Sequence, residues 1–156
     1  MKLEDAVQIA ERVKTLLAPE CEKIVVAGSI RRRRPVVNDV DLVLIPKDWL
    51  TVVNLLRGLG SVSMSGKKIT RVTMDDGTRL DVYYATPENF TTLLLIRTGS
   101  VQNNIRICDL AKKKGWHLFA NGSGLFNERG ERIAGDSEES IYKALGLIYQ
   151  EPWDRE

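Results

Sequence analysis

A chain of 156 residues can bury one substantial core or two small ones, and is too short for several independent domains. Apolar residues make up 43% and charged residues 28%, which excludes a disordered or fibrous chain, and no apolar run approaches the roughly 20 residues of a membrane helix. The net charge of +2 conceals an asymmetry, because residues 1–119 hold 19 Lys and Arg against 13 Asp and Glu while residues 120–156 hold 4 against 8.

The basic charge is clumped at Arg31–Arg34, at Lys67, Lys68 and Arg71, and at Lys112–Lys114, a distribution suited to a polyanion partner or to solvated faces. Met1–Asp5 lacks the layout of a signal peptide, so an intracellular protein without membrane attachment is expected. Cys21 and Cys108 are too few for a disulfide framework or a zinc site and read as reduced, buried thiols.

Apolar positions Val7, Ile9, Ala10, Val13, Leu16 and Leu17 recur at helical spacing ahead of Pro19 and predict an opening amphipathic helix. Lys23–Ala27 reads as a strand entering a Gly28-Ser29 turn, and Val40–Ile45 as a second strand stopped by Pro46. Asp48 is placed to cap a helix to about Leu59, with Leu50, Val53 and Leu56 on one face and Gly58 and Gly60 at its end. Val62–Met64 and Lys68–Met74 read as strands joined at Ser65-Gly66, and Asp76-Gly77 is a hairpin turn into Thr78–Tyr84.

Thr86-Pro87-Glu88 reads as the opening of a helix through about Ile96, and Thr98-Gly99-Ser100 interrupts it before a further helix, Ser100–Lys114, that ends at Gly115. Short strands are expected in Trp116–Ala120 and Gly124–Asn127, and a last helix from Asp136 to Leu145. The whole predicts an α+β fold: a mixed β-sheet with flanking helices over residues 1–95, then a smaller helix and β-hairpin part over residues 96–156.

Asp39 and Asp41 stand at the head of an otherwise apolar strand. Positions i and i+2 of a strand face the same side with Cα atoms roughly 6.5 Å apart. Two such carboxylates repel unless a cation lies between them, and hard oxygen ligands favour Mg²⁺ or Mn²⁺. Turn and capping chemistry is the bland alternative, but acids beside Val40 and Leu42–Ile45 are costly unless something positive compensates them. Asp81 is a third acid on an apolar strand, and if its strand lies beside that of Asp39 and Asp41 the three carboxylates converge on two metal ions. Upstream, Gly28 permits close approach of a phosphate, while Ser29 and Arg32 offer a hydroxyl and a guanidinium. Arg31, Arg33 and Arg34 cannot all face one ligand and are assigned to solvent or to a nucleic-acid backbone.

The Gly28-Ser29 turn, Arg32, Asp39-Val40-Asp41 and the later Asp81 resemble the nucleotidyltransferase palm of the polymerase β superfamily. Thr98-Gly99-Ser100 followed by Asn104, a basic helix and Gly115, and the end from Gly124-Leu125-Phe126 to Tyr149-Gln150-Glu151-Pro152, resemble the second half of family X DNA polymerases and their thumb. The pared-down layout is similar to the small viral members of that family, which consist of palm and thumb alone.

That resemblance implies a nucleotidyltransferase palm over 1–95 and a thumb-like subdomain over 96–156, without a helix-hairpin-helix or lyase domain. It implies catalysis by Asp39, Asp41 and Asp81 holding two divalent metal ions, with Asp81 also accepting the primer hydroxyl proton. Gly28, Ser29, Arg32, Gly99, Ser100 and Asn104 are carried over as nucleotide contacts, and Arg79, Arg106, Lys112, Lys113 and Lys114 as DNA contacts. The implied partners of a monomeric enzyme are dNTP and primer-template or gapped DNA, and the implied role is template-directed gap filling in DNA repair. Template-independent terminal transfer, nucleotidyl transfer to a protein, RNA or small molecule, and an idle DNA-binding module are the alternatives. Two departures stand out: Ile96-Arg97 replaces the family's aromatic pair, which implies weak exclusion of ribonucleotides, and Cys108 replaces an arginine that touches template, which implies modest fidelity. His117, the lone histidine, reads as structural.

Overall fold

The computed structural model describes residues 1–156. Helix α1 (Leu3–Leu17) leads through a 3₁₀ turn (Ala18–Glu20) into strand β1 (Cys21–Val26), and a single helical turn, α2 (Gly28–Arg31), precedes strand β2 (Asp39–Pro46). Helix α3 (Trp49–Arg57) is followed by the meander β3 (Gly60–Ser65), β4 (Ile69–Met74) and β5 (Arg79–Tyr84). These five strands form one mixed sheet in the order β1-β2-β5-β4-β3, in which only β2 and β5 run parallel.

Alternation along β2 and β5 sorts their side chains between two faces. Val40, Leu42 and Leu44 with Leu80, Val82 and Tyr84 join Ala6, Val13, Val52 and Leu56 in the core under α1 and α3. Each fully buried Val or Leu in that layer contributes about 1.5–3 kcal/mol of transfer free energy. Val43 and Ile45 point the other way and pack with Phe90, Leu93 and Leu94 of helix α4 (Phe90–Thr98). Asp39, Asp41 and Asp81 share this second parity, which α4 covers only toward the Ile45 end.

Helix α5 (Val101–Lys113), a three-stranded sheet of β6 (His117–Phe119), β7 (Gly124–Phe126) and β8 (Arg132–Ala134), and helix α6 (Glu138–Ala144) build the second core. Its buried members include Leu95, Ile107, Ala111, Leu118, Leu125, Ile141 and Tyr142. Helix α4 serves both cores, with Leu93 and Leu94 on the first and Leu95 on the second. No helix is long and apolar enough to cross a membrane.

The α+β reading holds, with local corrections. Leu50 is 52% exposed and Val52 takes its buried place, because the register of α3 on the sheet sets Val52, Val53 and Leu56 inward. Helix α4 begins at Phe90 rather than at Thr86-Pro87, since Asn89 Oδ1 accepts from the Thr86 backbone N–H at 2.7 Å and closes a turn there first. The expected hairpin has a third strand, β8, whose three residues carry no alternation to betray them. Cys21 is buried and Cys108 half-buried, both free, and His117 is exposed with its ring edge-on to Phe119 at 4.3 Å.

The arginine run meets neither solvent nor a nucleic-acid backbone alone. Arg31 donates to both oxygens of Glu138 at 2.8 Å and to Thr98 Oγ1 at 2.8 Å. Arg33 stacks on Trp153 with Cζ 3.7 Å from the ring centroid, and Arg34 reaches the Arg155 carbonyl at 3.3 Å and pairs with Glu156. Arg155 is fully buried against Tyr142 and Tyr149 and also donates to Glu138, at 3.1 Å. The basic run thus ties the first core to the end of the chain, a long-range pairing that no local pattern announces.

Candidate active site

A cleft of about 680 Å³ opens between the β2 head, the α2 turn and the junction of α4 with α5. Its walls bring together Gly28, Ser29, Arg32, Asp39, Asp41, Gly99 and Asn104, residues up to 76 positions apart, along with Tyr83 and Arg97. Ser100 stands behind the wall as the buried N-cap of α5, its hydroxyl accepting from the Asn103 N–H at 3.2 Å. The Gly99–Ser100 peptide is cis, and Gly99 has a φ of +72°, a conformation open to glycine at little cost.

Parallel pairing sets Asp41 level with Asp81 and Asp39 level with Arg79, so the three acids sit on one face of adjacent strands as their strand positions predict. Gly28 serves this arrangement directly: at φ +59° it turns the chain against Asp41, and a Cβ there would collide with the Asp41 carboxylate. The close approach that the sequence assigns to a phosphate is made by an aspartate.

The three carboxylates do not close on a single point as the side chains stand, and no group of three is gathered tightly enough to cage a metal ion. The reason is Arg71, which the β4–β5 register places opposite Asp81 and which donates to it through Nε at 2.7 Å and Nη2 at 3.1 Å. Arg79 adds contacts to Asp81 at 3.4 Å and to Asp39 at 3.0 Å. Asp81 is buried and does not line the cleft, so both of its oxygens face cations of the protein itself.

The donor set still has the chemistry of a hard-cation site. Burial, together with the charges of Asp81 and Asp39, pushes the Asp41 carboxyl up to about 7, against the pull of Arg79 and Arg97. Carboxylates crowded enough to hold a proton at neutral pH are stabilised when a divalent cation replaces it. Residues Asp39, Asp41 and Asp81 therefore suit Mg²⁺ or Mn²⁺ in ligand type, with Asp81 first having to leave Arg71.

Two orphaned atoms mark where else a ligand would be held. The Arg32 guanidinium donates to the Thr98 carbonyl, but its buried Nε has no partner. Burial and neighbouring Arg34 lower its pKa, partly offset by Asp41. Asn104 donates through Nδ2 to the Ile96 carbonyl at 2.8 Å and leaves Oδ1 buried and unpaired. A donor on one side of the Thr98-Gly99 turn and an acceptor on the other each forfeit about 1–3 kcal/mol until a ligand satisfies them.

The predicted DNA contacts disperse. Arg79 is held among the acids, and Arg106 is bound to Asn103 at 2.8 Å and to Gln150. Lys112, Lys113 and Lys114 are exposed at the end of α5, with Lys114 Nζ 5.5 Å from the Trp116 ring. In the sequence Arg71 stands out only as one of a basic cluster, and neither Tyr83 nor Arg97 as part of a site. Tyr83 was findable, because it lies two residues beyond Asp81 and so shares its face. Arg97 stacks over that ring with its Cζ 4.3 Å from the centroid.

Comparison with known structures gives the architecture. Leishmania infantum polymerase β in its ternary gap complex superimposes with a TM-score of 0.87 at 19% identity over 100% of this chain and 70% of that one. Its ternary P/T complex gives 0.84 at 20%, covering 100% and 76%. The fold is that of polymerase β, an α+β mixed sheet with flanking helices followed by a thumb. In sequence, residues 93–156 match the DNA polymerase beta thumb model. Repair DNA polymerase X of African swine fever virus is 31% identical over 144 residues, covering 86% of this chain and 82% of its own length. DNA polymerase/3'-5' exonuclease PolX of Bacillus subtilis is 32% identical over 135 residues, of which this chain spans 24% of the length. The chain belongs to DNA polymerase family X.

Proposed function

We propose that this family X polymerase adds dNMP to a primer 3′-hydroxyl under the direction of a template, filling short gaps during intracellular DNA repair as a monomer. The reading rests on one observation: a single cleft unites the Asp39-x-Asp41 carboxylates, the Arg32 guanidinium with its unpaired N–H, and the unpaired carbonyl of Asn104. Those are the groups a nucleoside triphosphate needs, a charge-bearing end and a hydrogen-bonding end, held about the Gly99 turn. Repair DNA polymerase X relatives and polymerase β structures solved as primer-template and gap complexes support DNA as the partner.

Within this reading residues 1–95 are the palm and 96–156 the thumb. Arg32 and Ser29 take the triphosphate oxygens, Gly99 lets the sugar lie against backbone, and Asn104 Oδ1 accepts from the base edge. Two divalent cations held by Asp39, Asp41 and Asp81 would supply Lewis-acid activation of the primer hydroxyl and neutralise charge on the departing pyrophosphate. Asp81, released from Arg71, receives the hydroxyl proton as the oxygen bonds to the α-phosphorus and the bond to the β-phosphate bridge breaks. Arg79 moves from Asp39 to the primer phosphate, and Lys112–Lys114 follow the DNA backbone.

Extension of a gapped substrate with all four dNTPs tests the proposal. Wild type extends only opposite template, and Asp81→Asn keeps DNA affinity while losing at least about 100-fold in rate. Extension without template would replace gap filling by terminal transfer, and undiminished turnover of Asp81→Asn would remove that residue from the chemistry.

A further inference from the structure

A second, smaller cavity of about 170 Å³ lies on the far side of Tyr83 and Arg97, which form a wall common to it and to the cleft. Its remaining polar lining is Lys68 at the start of β4, Asn89 ahead of α4, and Asn121 and Ser123 in the β6–β7 turn. The turn is seated firmly: a Cβ on Gly122 would meet the Asn89 carbonyl at 2.7 Å and Leu93 Cβ at 3.0 Å. Backbone pairing of Lys68 with Tyr84, at 3.0 Å, ties the opposite rim to the sheet.

The lining is almost wholly of one hydrogen-bonding sense. No carboxylate belongs to it, and neither Lys68 nor Arg97 is taken up in an ion pair. Asn89 spends its Oδ1 on the Thr86 N–H at 2.7 Å, and Asn121 spends its own on the Ser123 N–H at 2.9 Å and hydroxyl at 2.6 Å. Each amide is thereby oriented with its NH₂ left over. Two cations, two amide donors and a phenol converge in a lining that holds no carboxylate of its own; Arg97 also acts on Asp41 across the shared wall, and Lys68 answers to no acid. The volume falls below the roughly 300 Å³ at which pockets for drug-sized ligands begin, so the occupant is a group rather than a nucleoside.

We propose that this cavity is a second phosphate site, which takes a phosphodiester of the DNA strand crossing from the palm sheet to the β6–β7 turn. The inference rests on the polymerase reading, and it adds Lys68 and Asn121 to the residues that set affinity for nucleic acid. Free pyrophosphate shares the chemistry, and the experiment separates the two sources.

Primer-template binding is measured from about 50 to about 200 mM salt for wild type, Lys68→Met, Lys68→Arg and Asn121→Asp, and inorganic pyrophosphate binding is measured by calorimetry on the same proteins. Asn121→Asp keeps the acceptor that closes the turn and puts a negative charge in the cavity, while Lys68 is exposed, so all three variants retain the fold by circular dichroism. A DNA phosphate predicts a severalfold loss for Lys68→Met, a log-log salt slope shallower by about 0.9, a larger loss for Asn121→Asp, and recovery in Lys68→Arg. Weakened pyrophosphate binding with DNA affinity unchanged would support a phosphate site filled by the free anion. Unchanged binding of both overturns the proposal, as does a DNA loss that leaves the salt slope intact. Gapped-substrate extension by wild type is scored separately, so a failure of the polymerase reading is seen apart from a failure of this site.

Discussion

Asp41 concentrates the electrostatic cost of the cleft in one side chain. Its carboxyl titrates near 7 because burial and the neighbouring Asp81 and Asp39 disfavour the anion. A folded value above the ordinary 3.8 means that stability is whole below about pH 4 and is lost as pH rises through 7. In metal-free protein Asp41→Asn is therefore expected to be more stable than wild type at pH 8, by about 4 kcal/mol at most, and to lose that advantage near pH 4. Urea unfolding at the two pH values in a chelating buffer measures it, and a pH-independent difference would contradict the assignment. The neighbouring Arg71–Asp81 pair was not legible in the chain: a two-residue Asp76-Gly77 turn would set Arg71 opposite Val82, and only the longer Asp75-Asp76-Gly77 loop between Met74 and Thr78 brings Arg71 level with Asp81.

Helix α5 carries a cleft residue at one end and a cluster of lysines at the other. Its first turn, capped by Ser100, holds Asn104 at the cleft, and its last turn presents Lys112 and Lys113, with Lys114 just beyond. The three lysines on this exposed end pair with no acid, and only Lys114 approaches a ring, that of Trp116 at 5.5 Å, so their charge is free to neutralise phosphate. Lys113→Glu should weaken primer-template binding about tenfold at moderate salt and flatten the salt dependence, with little change in thermal stability. Fluorescence anisotropy across a salt series checks this, and an unaltered dissociation constant would take the helix end out of the DNA interface. Both ends of α5 were legible from Ser100 and Gly115, because capping is a local property of the chain.

At the scale of the whole molecule, the two cores are locked together by Glu138, which stands between Arg31 of α2 and Arg155 of the chain end. Burial raises the Glu138 pKa, but the hydrogen bonds and charge of Arg31, then of Arg155, outweigh it and hold the group below its ordinary value. The pair therefore contributes stability above about pH 4.5 that is lost as pH falls through the depressed value. Glu138→Gln leaves the fully buried Arg155 without its counter-charge and should cost about 3–5 kcal/mol at neutral pH, shrinking in acid. Thermal unfolding in steps from pH 7 to about pH 2 tests it, with an equal loss across the whole range counting against the lock.

Much of the element order was written in the chain itself: helix caps, the Asp-Gly turn and the two-residue period of a strand act through neighbours in sequence, and they set Asp39 and Asp41 on one side of β2, while the parallel pairing of β2 with β5 was needed to add Asp81. What those acids meet was decided only by the tertiary structure. Arg31 finds Glu138 107 residues away, and Arg97 stacks on Tyr83 in one wall of the cleft, because such partners depend on how helices dock on the sheet and on each other rather than on any local period. Side chains far apart in sequence leave no periodic signal of their contact, and that contact is what turns a row of carboxylates into a cleft.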